Sequence, residues 1–258
     1  MKQQTVQFNG IEQAALIDSD VPSVPLGPSE VFGHTVYSLV SPGTELAGYR
    51  GQYSSGRFPV TPGYAAVFQV DEIGAEVIDL KPGDFAFSMG NHRSVQRALR
   101  ENVLALPNNL SPAVAPFARL MGVTMTTLTT TQARPPARVI VTGLGLVGHL
   151  AAKMFHACGY QVLAVDPIAE RRAAIAQTQG IETAAGIPLT DPAYAGKVAL
   201  VVECSGHEQA AMDACKVVQK RGEVVIVAAM WQQRTTLSAL ELLNTIFNRY
   251  VEVRSGWE

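Results

Sequence analysis

The stretch VIVTGLGLVGHLAAKMFHACGYQVLAVD, residues 139–166, decides the fold of the second half of the chain. An apolar run, a glycine-rich turn, a segment with helical spacing and a second apolar run follow one another in this order. Near-continuous apolar strands that alternate with helices are typical of a parallel sheet covered on both faces. The stretch therefore predicts the opening strand, helix and strand of a doubly wound α/β domain.

The same alternation continues beyond this stretch. Helices are predicted near 147–158, 168–179, 207–220 and 237–247, and strands at 198–206, 223–229 and 250–256, with a weak extra strand near 183–188. We expect these elements to form a Rossmann doubly wound parallel sheet.

The first half of the chain follows a different pattern. Runs such as VFGHTVYSLV and AAVFQVDEIG are short, apolar and separated by Pro-Gly turns, which predicts an antiparallel barrel or sandwich. From Ser111 the pattern changes, because SPAVAPFARLMGVTMTTLTTTQ has a serine N-cap and helical spacing. The sequence thus predicts two domains, 1–110 and 111–258, the second beginning with an interdomain helix.

The glycines of the turn form the pattern G-x-G-x-x-G at Gly143, Gly145 and Gly148. Gly143 permits a tight turn, Gly145 lets a pyrophosphate approach the backbone, and Gly148 lets the helix pack against the strand. The backbone amides at the start of the helix, at Leu146 and Val147, are expected to face the phosphates. Placed between a strand and a helix, the pattern predicts a dinucleotide site, the alternative being a doubly wound domain that has lost its ligand or binds another nucleotide.

The end of the second strand bears on the choice of dinucleotide. Asp166 can accept hydrogen bonds from the adenosine ribose and would repel a 2′-phosphate, so NAD is favoured over NADP. Arg171 and Arg172 lie close by in sequence and would tolerate a phosphate, which keeps NADP open as the less favoured cofactor.

Composition excludes several classes of function. The chain has 258 residues, of which 47% are hydrophobic, and a formal net charge of −2. That charge gives no reason to expect nucleic acid or an anionic membrane as partner, and no apolar run is long enough for a membrane helix. The polar, acidic start does not resemble a secretory signal. Cys158, Cys204 and Cys215 fall in apolar patterns, which predicts buried free thiols and a cytoplasmic location.

Several landmarks along the chain resemble the medium-chain dehydrogenase/reductase family, which contains zinc alcohol dehydrogenases and quinone reductases. They are P-G-T-E at 42–45, P-G-Y at 62–64, K-P-G-D at 81–84, the passage ENVLALPNNLSP and then the glycine turn. The resemblance implies a chaperonin-10-like barrel followed by a Rossmann domain, with a small-molecule substrate held between them. Family members return to the barrel domain after the sixth Rossmann strand, so this sequence is either a natural short version or lacks a C-terminal tail, and the missing tail is the favoured interpretation.

The resemblance also implies that no catalytic zinc is bound. The three positions that hold zinc ligands in the family's alcohol dehydrogenases match Pro42, Tyr64 and, within one residue, Arg119. A proline, a tyrosine and a cation cannot replace the cysteine and histidine ligands that zinc prefers. All three cysteines lie in the second half, so the four-cysteine lobe of a structural zinc is missing too.

Three residues of the first half are candidates for the chemistry. Thr44 matches the family's proton-relay hydroxyl, the phenol of Tyr64 can donate a hydrogen bond to a carbonyl oxygen, and Arg119 adds positive charge. The competing interpretations are that Thr44 caps a helix and that Tyr64 packs in the core. Glu45 is expected to pair locally with Arg50, and His92 to be either a substrate contact or an ordinary loop residue.

The nicotinamide end of the cofactor is expected at other segments of the second half. Ser205 and Gly206 end the fourth strand, where the resemblance places the nicotinamide ribose. Ala228 ends the fifth strand and is expected to flank the nicotinamide, and Thr124 of the interdomain helix matches the position that contacts its other face. Cys204 points away from this edge by strand alternation and is interpreted as core.

The leading functional hypothesis is a zinc-independent oxidoreductase that transfers a hydride between NAD(H) and an alcohol or carbonyl compound. The G-T-E and P-G-Y variants resemble the branch that includes bacteriochlorophyllide dehydrogenase. The alternatives are quinone or enoyl reduction and nucleotide binding without turnover. We further expect a homodimer formed through the edge strand 250–256, because an uncovered edge is a template for pairing.

Overall fold

The computed structural model describes residues 2–52 and 57–256. The chain forms two compact units, Met1–Arg119 and Leu120–Glu258. Residues 111–119, which the sequence analysis placed with the second domain, are thus part of the first unit.

The first unit is built from antiparallel strands. Its elements are β1 (Lys2–Gly10), β2 (Gln13–Asp20), β3 (Glu30–Ser38), α1 (Pro42–Tyr49), β4 (Ala66–Ile73), β5 (Phe85–Ser88), β6 (Val95–Leu99) and β7 (Val103–Ala105). Strands β1 and β2 pair with each other, and the other five form a sheet in the order β6-β3-β4-β5-β7. The predicted antiparallel β-domain is confirmed, while its likeness to chaperonin-10 stays a prediction.

The centre of this sheet is tightly packed. Gly33 of β3 lies so close to β4 that a Cβ atom added to it would be 2.0 Å from the carbonyl oxygen of Gln69. Only glycine allows this approach, which brings Val31, Phe68 and Val70 into one buried cluster. The cluster fixes β3 and β4; Thr44 lies in the helix that follows β3, and Tyr64 lies just before β4.

The second unit alternates helices and strands. Its elements are α2 (Phe117–Thr130), which begins at the end of the first unit, β8 (Arg138–Thr142), α3 (Leu146–Ala157), β9 (Gln161–Val165), α4 (Ala169–Ala176), β10 (Glu182–Ala184), β11 (Val198–Glu203), α5 (Glu208–Val217), β12 (Val218–Ile226), α6 (Ala239–Arg249) and β13 (Glu252–Ser255). In the part of the chain that the structure describes, none of the helices is both long and apolar enough to cross a membrane.

All neighbouring strands of the second sheet run parallel, in the order β10-β9-β8-β11-β12-β13. The chain moves outward from β8 through β9 to β10 and then crosses to the other side of β8 to form β11. Ligands of open α/β sheets bind at such a reversal, outside the carboxyl ends of the strands. The doubly wound sheet is confirmed, and its reversal point lies between β8 and β11.

Two local predictions need correction. Helix α2 begins at Phe117 rather than just after Ser111, because residues 111–116 form turns. Cys158 is exposed at the end of α3, whereas all three cysteines were expected to be buried. Burial raises the pKa of Cys204 well above its usual value and that of Cys215 to about 11.

Candidate functional site

The turn after β8 depends on two glycines. Gly143 has a φ of +77°, and a Cβ atom on it would lie 2.5 Å from the Cα atom of Ser205. A Cβ atom on Gly148 would lie 1.9 Å from the carbonyl oxygen of Gly143. A larger residue at Gly143 would push the backbone of Ser205 away from the turn, and one at Gly148 would push α3 away from it, so the turn has the close packing that the sequence predicted.

Gly145 has the opposite surroundings. It is exposed, it is the N-cap of α3, and a Cβ atom on it would meet no atom within 4 Å. The amides of Leu146 and Val147 follow in the first turn of α3, where the helix dipole is positive. Open space beside outward-pointing amides fits a pyrophosphate.

Asp166 is tied to this turn by its carboxylate. The side chain is only 2% exposed, and its oxygens accept hydrogen bonds from the backbone amides of Leu144 at 2.7 Å and Ile168 at 2.8 Å. Arg171 lies 3.3 Å from one of the oxygens, and Arg172 donates to the Asp166 carbonyl oxygen at 2.6 Å. Asp166 therefore holds the glycine turn as well as standing at the predicted ribose position.

The segments predicted for the nicotinamide end lie beside one another at the same edge of the sheet. Gly206 has a φ of +64°, and a Cβ atom on it would lie 2.9 Å from the carbonyl oxygen of Ala229 and 3.6 Å from the side chain of Ala228. Ser205 donates both its amide and its hydroxyl to Glu203, a residue the sequence analysis did not single out. A lone acid at the end of an apolar strand was the signal that could have identified it.

The hydrogen-bond partners of the Thr124 side chain lie in helices α2 and α3 and not at this edge of the sheet. Thr124 is fully buried in α2, and its hydroxyl donates to the carbonyl oxygen of Met121 at 2.9 Å and to the sulfur of Met154 at 3.1 Å. These bonds fix α2 against α3, and the contact of Thr124 with a nicotinamide stays a prediction.

In the first unit, the structure brings together Tyr64 and Arg119. The guanidinium carbon of Arg119 lies 5.1 Å from the centre of the Tyr64 ring, and both side chains are half-buried. A cation over an aromatic face is an attractive arrangement. Thr44 is half-buried in the first turn of α1, where Ser41 and not Thr44 is the N-cap.

Glu45 makes a long-range pair rather than the expected local one with Arg50. One carboxylate oxygen lies 2.8 Å from Nε2 of His92, and the other accepts from the amide of Ser41 at 2.8 Å. Because a carboxylate only accepts, Nε2 donates the hydrogen of this bond, and Nδ1 lies 2.8 Å from the Ser38 hydroxyl. His92 is thus neither an ordinary loop residue nor aimed at solvent, since Glu45 and His92 are both buried.

Asn91 and His92 also clamp the backbone just before Tyr64. Asn91 Nδ2 donates to the carbonyl oxygens of Thr61 at 3.0 Å and Gly63 at 2.9 Å. The backbone amide of His92 donates to the carbonyl oxygen of Pro62 at 3.0 Å. Three successive carbonyls are therefore satisfied from one neighbouring loop. The position of Tyr64 depends on this clamp, which local sequence patterns did not reveal.

The positions aligned with zinc ligands do not fit a metal. Pro42 opens α1, the Tyr64 ring lies under a guanidinium, and Arg119 supplies that cation. Glu45 and His92, two residues of metal-ligating type in this unit, form a hydrogen bond with each other. Among residues 2–52 and 57–256, no three or more His, Cys, Asp or Glu side chains are grouped as metal ligands.

Comparison with known proteins places this geometry in a family. A family model described as zinc-binding dehydrogenase matches residues 147–255. An alcohol dehydrogenase from Geobacillus stearothermophilus is 29% identical over 144 residues, a match that spans 54% of this chain and 42% of that relative.

Solved structures share the fold along the chain. Acetophenone reductase from Geotrichum candidum, solved with NAD, has a TM-score of 0.85 and 16% identity, over 99% of this chain and 82% of that one. A Sinorhizobium meliloti protein described as a zinc-binding dehydrogenase and bound to NADP has a TM-score of 0.83 and 18% identity, over 100% of this chain and 84% of that one.

Residues 147–255 thus match a zinc-binding dehydrogenase model, and the chain shares the fold of solved dehydrogenase and reductase structures. The resemblance inferred from the sequence is therefore confirmed. The matched segment does not include positions 42, 64 or 119, so the name of the family model says nothing about zinc in this chain.

Replacing His92 by alanine should lower the free energy of unfolding by about 3 kcal/mol, because the buried Glu45 carboxylate would lose its partner. Urea denaturation followed by circular dichroism measures the change. His34→Ala is the matched control, since the His34–Asp71 pair has the same 2.8 Å separation but side chains 46% and 39% exposed. Equal losses in the two variants would contradict a special role for the buried pair.

Proposed function

We propose that this protein is an oxidoreductase that transfers a hydride between NAD(H) and an alcohol or carbonyl substrate without zinc. The observation that carries the proposal is the turn at 143–148, where close packing at Gly143 and Gly148 surrounds open space at Gly145. The segment that matches the dehydrogenase family model begins at Val147, within this turn, and includes Gly148.

The residues of the second unit would hold the cofactor. The amides of Leu146 and Val147 would bind the pyrophosphate, and Asp166 would accept hydrogen bonds from the adenosine ribose. Ser205, Gly206 and Ala228 would surround the nicotinamide ribose and ring. The nicotinamide supplies or accepts the hydride when it is bound.

The residues of the first unit would manage the oxygen of the substrate. The Tyr64 phenol donates a hydrogen bond to a carbonyl oxygen, and Arg119, 5.1 Å above the ring, favours negative charge that develops there. Thr44 is the candidate for passing a proton to or from solvent. The clamp at Asn91 and His92 keeps the Tyr64 backbone in place during this step.

An assay panel tests the proposal. Wild-type protein is mixed with NADH or NAD and a set of ketones, aldehydes, quinones and alcohols, and the absorbance of NADH is followed. Tyr64→Phe should lower kcat by about a hundredfold if the phenol donates to the reacting oxygen. Cofactor binding without turnover on any class would instead indicate a nucleotide-binding protein.

We expect protein purified without added zinc to contain well under one zinc per chain, because a guanidinium stands at the aligned ligand position. Elemental analysis measures the metal content. Treatment with a chelator should leave turnover intact. A stoichiometric zinc whose removal abolishes turnover would contradict the assignment of Pro42, Tyr64 and Arg119.

NADH should bind more tightly than NADPH, and Asp166→Ser should narrow or reverse that preference. Since the substitution also removes hydrogen bonds to Leu144 and Ile168, both affinities should fall, and the ratio is the informative quantity. Fluorescence titration gives the two dissociation constants. A wild-type preference for NADPH of about tenfold, or 1.4 kcal/mol, would show that the ribose assignment is wrong.

We also propose a homodimer formed through residues 250–256. Strand β13 is last in the strand order, so one of its edges has no neighbouring strand within the described sheet. Helix α6, which precedes it, exposes an apolar row at Leu240, Leu243 and Phe247, the last being 80% exposed. Apolar surface beside an uncovered edge supports pairing of two copies.

Val253→Pro should convert the dimer to a monomer, since proline disrupts strand pairing at an edge. Light scattering gives the particle mass. Thr183→Pro in β10, the opposite edge strand, is the matched control and should leave the dimer unchanged. A wild-type particle of monomer mass would count decisively against the dimer.

A further inference from the structure

Glu203 ends β11 directly beside β8, at the reversal of strand order. Its register partners are Thr142, which precedes the glycine turn, and Ile226, the last residue of β12. One side chain thus lies at the junction of the three strand ends whose following residues form the candidate cofactor site. The strand before it, Val198 to Val202, is entirely apolar.

The carboxylate of Glu203 is fully buried and is surrounded by donors from two of these strand ends. One oxygen accepts from the amide of Ser205 at 2.7 Å, from the Ser205 hydroxyl, and from the Thr142 hydroxyl at 3.3 Å. The other oxygen accepts from the amide of Gly206 at 3.2 Å. Every donor here is uncharged, so hydrogen bonds alone offset the cost of burying the group.

The backbone of the same residue reaches the third strand end. The Glu203 carbonyl oxygen accepts from the amides of Val227 at 2.9 Å and Ala228 at 3.0 Å. The loop at Ser205 also packs against the glycine turn, since a Cβ atom on Gly143 would lie 2.5 Å from the Ser205 Cα atom. Glu203 therefore sets the spacing between the turn, the Ser205–Gly206 loop and Ala228.

The carboxylate is costly to bury, and burial raises its pKa above the usual value. An apolar residue would continue the strand at lower cost, as Val201 and Val202 do. The hydrogen-bond partners of its side chain, however, all lie at strand ends of the candidate cofactor site, with Ser205 and Gly206 at the predicted nicotinamide end and Thr142 just before the glycine turn. A buried acid departs from the apolar pattern of the rest of the strand, and such departures are expected at positions that function requires.

We infer that Glu203 is the positioning residue for the nicotinamide half of the cofactor, acting through the Ser205–Gly206 loop and not by touching the cofactor itself. This inference rests on the proposed function, because it takes the strand ends after β8, β11 and β12 as the cofactor site. It distinguishes the two halves of the site, since the Glu203 carboxylate holds Ser205 and Gly206 directly, whereas the turn at Leu144 is tied to the Asp166 carboxylate.

The experiment compares NADH with ADP, which has the adenosine and pyrophosphate groups but no nicotinamide half. Glu203→Gln places an amide donor against the amide of Gly206 or Ser205, and Glu203→Asp withdraws both oxygens from the loop. Each variant should weaken NADH binding by about tenfold and leave ADP binding within about twofold of wild type. Fluorescence titration and calorimetry measure the two constants.

Glu223→Gln is the matched control. Glu223 is also a buried acid, but its carboxylate bonds to Thr131 and Gln132, which precede β8, and to Arg254. The control should lower the melting temperature as Glu203→Gln does and leave both nucleotides bound as in wild type. A merely structural role for Glu203 would make the two variants indistinguishable.

The outcomes separate this inference from the proposed function. Equal loss of NADH and ADP in both Glu203 variants, or NADH binding unchanged in both, overturns the positioning role. Selective loss of NADH supports it, even when the wild type turns over no substrate, in which case only the proposed activity fails. A wild type that binds ADP and no NADH contradicts both.

Discussion

The second unit depends on the contact between the backbone of α3 and the turn that follows β8. Gly148 leaves no room for a side chain above the Gly143 carbonyl, and Gly143 leaves none beside Ser205. Because the backbone is closely packed at both glycines, the start of α3, the end of β9 and the end of β11 are fixed around one open position at Gly145. The candidate nucleotide site is thus defined as much by where glycine excludes side chains as by the groups that would bind phosphate.

The parallel sheet could be predicted because its strands are covered on both faces and therefore read as unbroken apolar runs, as in VIVT and VALVV. The glycine turn could be predicted because each glycine has a steric reason that does not depend on distant residues. Asp166 followed from its place after the second strand. In the first unit, Pro-Gly turns and short apolar runs predicted antiparallel strands, although not their order.

Contacts between residues far apart in sequence could not be predicted from the sequence. Glu45 was expected to pair with Arg50, its local neighbour, but the fold brings His92 to it across 47 positions. The hydrogen bonds from Asn91 to Thr61 and Gly63 also join residues that are far apart in sequence. Glu203 is a different case: its place as a lone acid at the end of an apolar strand is visible in the sequence, but the partners of its carboxylate are known only from the packing of β8 and β12 on either side of it. Candidate residues for the chemistry could therefore be proposed from the sequence, whereas the contacts that hold them in place could not.

The three cysteines differ in exposure, and Cys158 is the one most accessible to thiol reagents. Only thiolates attack maleimides and similar reagents, and burial keeps the Cys204 and Cys215 thiols protonated at neutral pH. Cys158 is exposed at the far end of α3, the helix whose first turn faces the candidate phosphate site. A fluorophore attached there would report on α3 from the end opposite to the nucleotide, with no cysteine needing to be removed.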